Sequence, residues 1–195
     1  MQVNDSLQVV VPVRENDSGP SVCAYHVPIS REVFEANYRI LAATKAQLAS
    51  KGIYYQMDSG PRIAAMALRD EGKRDAESRG DFDDGGKPRD EAAPLLAEIK
   101  RLTTILVPSP DGWDMLPVDA AISQDKIDAD EWQEALSALV FFTCHYALAK
   151  KRQRLEMANA MSSILSASIT SSSLSEYVSS LPKSTPGALS PVKVA

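Results

Sequence analysis

The chain has 195 residues, 44% of them hydrophobic and 24% charged, with a net charge of -5. That is enough for one ordinary domain with a real core plus a tail. The acidic balance argues against a general nucleic-acid binder, which is normally basic.

The N-terminal stretch MQVNDSLQ lacks the basic start and apolar run of a signal peptide. The longest apolar run, Ala138 to Ala149, is shorter than the roughly 20 residues that span a bilayer. The expectation is a soluble, intracellular protein with no membrane partner. Cys23 and Cys144 are the two cysteines, and they read as separate reduced thiols.

In chain order, Leu7 to Val13 and Ser21 to Val27 are β-rich segments around the turn-forming RENDSGP, which predicts a hairpin. Pro12 places the first strand at a sheet edge. Ser30 is suited to N-cap a helix that Gly52 ends, with Phe34, Tyr38, Leu41 and Leu48 on its inner face. Ile53 to Met57 reads as a short apolar connector. Pro61 opens a second helix, with Ile63, Met66 and Ala67 inward and Gly72 at its end.

Residues 73–91 are dense in both charge signs and contain three Gly and one Pro, with Phe82 the single large apolar residue. They predict a mobile charged loop. Asp90 can cap a third helix through Leu102, with Leu95, Leu96 and Ile99 in its stripe. Thr103 to Val107 and Trp113 to Val118 flank the turn Pro108 to Gly112 and predict a second hairpin. Asp119 to Ser123 is a helical turn.

The dominant segment is Asp128 to Leu165. Asp128 and Glu131 form a capping-box pattern, Trp132, Leu136, Leu139 and Val140 recur at helical spacing, and no Pro or Gly intervenes. One long central helix is predicted. Its middle is apolar on every side and therefore buried. Lys150, Lys151, Arg152 and Arg154 then form a basic spot, and Met157, Met161 and Ile164 continue the stripe.

The fold class expected is α+β: mainly helical, with the long helix at the centre and a small antiparallel sheet from two β-hairpins. Residues 1–165 make one domain. Residues 166–195, rich in Ser, Thr and Pro, make a flexible tail, with one short helix over 175–181.

Catalytic signals are sparse. The two histidines, His26 and His145, join no Ser/His/Asp grouping, and there is no Gly-rich phosphate loop. Cys23-x-x-His26 lacks a second ligand pair for a metal. Asp81 to Gly86 resembles a calcium loop in part, but Gly85 and Ala92 stand where ligands are needed. The reading is a non-enzymatic protein without cofactor or metal. The basic spot Lys150, Lys151, Arg152 and Arg154 suits an acidic protein partner. Met157, Met161 and Ile164 suit a changeable apolar one, because methionine repacks readily.

Several blocks in consistent order resemble the tail assembly chaperones of tailed phages. They are residues 28–34 (PISREVF), 59–64 (SGPRIA), 98–103 (EIKRLT), Val107-Pro108, Gly112-Trp113, 138–143 (ALVFFT) and 179–186 (SSLPKSTP). The resemblance implies a protein of the host bacterial cytoplasm. It would bind the tape-measure protein in many copies, help recruit tail-tube subunits, and be absent from the finished particle. A structural virion protein of the tail or neck is the alternative, and a small regulatory or nucleic-acid-associated protein using residues 150–154 a third reading.

Overall fold

The computed structural model describes residues 7–16 and 19–182. Five strands make one antiparallel sheet: β1 Gln8–Asn16, β2 Gly19–His26, β3 Thr103–Ser109, β4 Gly112–Pro117 and β5 Ser168–Thr170, in the order β4-β3-β2-β1-β5. β1 pairs with β2, and β3 with β4. β2 also pairs with β3, so the four strands are continuous.

β5 adds a fifth strand from the segment expected to be tail, pairing Gln8, Val9 and Val10 with Thr170, Ile169 and Ser168. β1 is therefore an inner strand, contrary to the edge position expected from Pro12. Pro12 is tolerated because β5 does not reach it, and the β1–β2 register shifts between Pro12 and Arg14.

Side chains alternate across the sheet. Val9, Val11, Val22, Ala24, Ile105 and Val107 face the helical core, whereas Val10, Tyr25 and Leu106 form a second cluster on the other face.

The helices are α1 Arg31–Ser50, α2 Ile53–Asp58, α3 Gly60–Arg79, α4 Ala93–Arg101, α5 Val118–Ser123, α6 Ala129–Ala147, α7 Arg154–Ile164 and α8 Leu174–Ser180. α6 is the hub. It packs against α1, α3, α4, α7 and β1, and Leu139, Val140, Phe141, Phe142 and Cys144 are fully buried. Its capping box is formed: Glu131 N–H donates to Asp128 Oδ1, and Asp128 N–H donates to Glu131 Oε2, each at 2.8 Å. Arg14 of β1 grips the same Glu131 with two hydrogen bonds of 2.7 and 2.8 Å, fastening sheet to helix.

The single helix expected over 128–165 is divided. It stops at Leu148, Lys150 turns extended, a 3-10 turn covers Lys151–Gln153, and α7 runs back onto α6. A straight helix of that length would measure roughly 55 Å, beyond the roughly 40 Å diameter of a domain this size. Folding back instead lets Ala158, Met161 and Leu165 join the core.

Other boundaries move for packing reasons. α3 runs through Gly72 and ends at Gly80, in the left-handed conformation (φ 69°). Residues 73–79, expected in a mobile loop, are helical. Residues 81–91 form a closed turn, with Asp83 N–H on the Lys87 carbonyl at 2.8 Å and a bridge between Phe82 and Pro88. Tyr38 and Met66, expected inside, are exposed. α1 buries Ile40, Leu41, Thr44 and Leu48, and α3 packs through small residues such as Gly60 and Ala64. Residues 53–58 are helix α2 rather than a connector.

The C-terminal segment is structured through α8, and the part of the expected tail at 183–195 lies outside the described residues. Among the described residues no helix is long and apolar enough to cross a membrane.

Candidate partner-binding surfaces

The segment after α6 separates the residues that the sequence grouped. Lys150, Lys151 and Arg152 lie exposed at the 3-10 turn. Arg154 turns inward. Its guanidinium carbon lies 5.7 Å from the centroid of the Tyr146 ring, a cation–π distance. Both side chains line a cleft of about 90 Å³ with Pro28, Ser30, Phe34 and Phe142.

Met161 is buried, and Met157 and Ile164 are half-buried against the main core. The methionine stripe of α7 therefore packs on the chain itself, and its outward apolar residue is Leu155, 56% exposed.

A different apolar surface emerges on α2 and α3, which sequence reading missed. Ile53 and Met57 are 67% and 49% exposed, one helical turn apart. Tyr55 on the same short helix is also exposed, and Met66 on the outer side of α3 is 65% exposed. The available signal was the apolar content of residues 53–57 directly behind Gly52.

The second surface is the sheet face turned away from the helical core. Cross-strand register places Pro12, Cys23, Leu106 and Met115 in one row, and Val10, Tyr25 and Thr104 in the next. α8 lies over it: Leu174, Tyr177, Val178 and the following Leu181 pack against the cluster of Val10, Tyr25 and Leu106, as do Cys23 and Trp113 from the sheet itself. The Tyr25 and Tyr177 rings are 5.8 Å apart. Tyr25 Oη–H donates to the Ser172 carbonyl at 2.8 Å, and Trp113 Nε1–H donates to the Pro182 carbonyl at 3.1 Å. Ser173 and Glu176 close a capping box at the start of α8. Met115, in the same row as Leu106, is left 47% exposed.

The buried titratable groups are held neutral. Burial lowers His26 to about 4. Thr103 Oγ1 donates its proton to the Ile99 carbonyl at 2.7 Å, so His26 Nδ1 is the donor in its 3.0 Å contact with that hydroxyl. His145, also lowered chiefly by burial, donates Nδ1–H to the Phe141 carbonyl at 2.8 Å. Burial raises the Cys23 thiol to about 11 and the Cys144 thiol to about 12. The two thiols occupy opposite faces of the sheet, Cys23 with the outer cluster and Cys144 in the helical core.

Among the described residues no three His, Cys, Asp or Glu side chains gather as metal ligands. Comparison with protein-family models, with curated proteins and with solved structures finds no match to this chain.

Proposed function

We propose that the chain is a non-enzymatic tail assembly chaperone of a tailed phage. It binds the tape-measure protein in the host cytoplasm and helps recruit tail-tube subunits. The ordered blocks from PISREVF to SSLPKSTP support the family. The observation that carries the binding role is the apolar exposure on α2 and α3, where Ile53, Met57 and Met66 stand outside the buried core. Methionine side chains adapt to varied apolar neighbours. A long client engaged by many copies needs each contact to be only weak, because avidity supplies the rest. The exposed Lys150, Lys151 and Arg152, with Leu155 close by in sequence, add a basic and apolar surface for acidic stretches of a client.

Co-expression with the phage's tape-measure protein tests this reading. Wild-type chain keeps the client in solution and co-elutes with it in several copies by light scattering. The double variant Ile53→Asp/Met57→Asp recovers at least about tenfold less client, since two apolar anchors of this size outweigh the 1.4 kcal/mol that a tenfold change represents. Its thermal midpoint stays close to wild type because Ile53 is mostly exposed and Met57 about half exposed, and neither belongs to the buried core. A client that stays insoluble, together with this chain in purified particles, selects the structural tail or neck protein instead.

A further inference from the structure

We propose that the outer face of the sheet is a docking groove for an amphipathic helix of a partner, and that α8 is a built-in occupant that a partner helix replaces. The occupant's chemistry is on display in the chain. α8 presents Leu174, Tyr177 and Val178, apolar side chains at i, i+3 and i+4, and Leu181, the extended residue just after the helix, packs on the same cluster. A helix laid in an apolar groove through such a stripe is a recurring mode of recognition.

Three observations make α8 exchangeable. It has seven residues and none of them is buried, and a helix so short has little stability apart from its contacts. It hangs from the three-residue β5 through 171–173, three consecutive serines. Hydrogen bonds from Tyr25 and Trp113 hold it through the backbone carbonyls flanking it rather than through the helix itself. The sheet face, in contrast, is strongly apolar: Val10, Tyr25 and Leu106 are almost fully buried under this cover.

The cover also leaves part of this face open. α8 measures roughly 10 Å, and Met115, cross-strand neighbour of Leu106, remains about half exposed. A longer helix with the same stripe would cover Met115 as well, and this surplus contact is what favours the incoming helix over α8. The tether opposes it by giving α8 a high effective concentration, so exchange requires a long or repeated client. The inference rests on the chaperone reading only for whose helix enters, which would be one from the tape-measure protein.

Cys23 reports on the cover because it is half-buried on the same outer cluster that α8 packs against, and Cys144 reports on the core. The experiment follows the reaction of the full chain with Ellman's reagent. Leu174→Asp/Tyr177→Asp should make Cys23 react at least about tenfold faster while Cys144 stays unreactive, since reaction follows the open population. Excess free peptide of residues 171–182 should then slow Cys23 several-fold in the variant, and a scrambled peptide without the stripe should not. If Cys144 of the double variant also reacts, Tyr177→Ala alone is used with the same two readings.

A wild-type rate at Cys23 in the opened variant, or no protection by the peptide, overturns the groove. Protection by the 171–182 peptide without protection by helical peptides from the tape-measure protein keeps the groove and removes that client from it. Failure of the α2 variants to alter client recovery bears on the chaperone reading alone.

Discussion

Gly72 lies in mid-helix where glycine costs about 1 kcal/mol relative to alanine, yet a Cβ there would stand 2.7 Å from the Ala92 backbone nitrogen. The residue is a contact point between α3 and the start of α4, which is why it does not end the helix as its type suggests. Gly72→Ala should therefore destabilise the fold by about 1–2 kcal/mol in urea titration despite its better propensity, because overpacking against backbone exceeds the gain. Increased stability would mean that the 91–92 segment moves away freely.

His26 makes the second prediction at this scale. Its folded value near 4 lies below the ordinary 6.5, so the unfolded chain takes up the proton first. The stability it contributes is present above pH 6.5 and is lost as pH falls toward 4. Between pH 6.5 and 5 the loss should be about 1.5 kcal/mol, with His145 acting in the same direction. Denaturation at several pH values checks it. His26→Gln should flatten that interval, and an unchanged slope would show that His26 is not the group responsible.

Elements whose ends are set by local chemistry were legible. Ser30 and Asp128 cap α1 and α6 as their sequence signatures indicate, since each side chain accepts a hydrogen bond from a backbone N–H of its own first turn. Asp128→Ala should lower stability by about 1 kcal/mol, and it also frees Glu131, the residue that Arg14 grips from β1. Arg14→Ala should cost less, because the pair is partly exposed. Thermal melts of the two variants decide the order, and the reverse order would place the weight on the sheet-to-helix link.

Elements whose ends are set by space were not legible. Nothing in the composition of residues 148–150 forbids a helix, and the break there exists because a straight continuation would leave the core that Met161 and Leu165 enter. The candidate surface suffered from the same blindness. Periodicity marks Met157, Met161 and Ile164 as one face, but only the position of α6 decides that this face is turned inward.

For the molecule as a whole, the α+β class followed from two β-rich pairs of segments and several periodic helices, and the sheet confirms it. The covered outer face was signalled in principle by VVVPV (residues 9–13), an apolar run without the polar alternation of a half-exposed strand, of the kind found in strands buried on both sides. The cover itself is Ser-rich and polar in average composition, and its four apolar residues matter only because β5 brings them to the sheet.

That arrangement has a consequence in time. β1, β2 and β3 are complete once residue 109 has been synthesised, but the strand and helix that finish the sheet end at 170 and 180. At ordinary translation speeds those elements follow after an interval on the order of seconds. During it the outer face of the sheet lacks its cover, so under the exchange proposed above a partner helix would meet that face before the chain's own helix has been made.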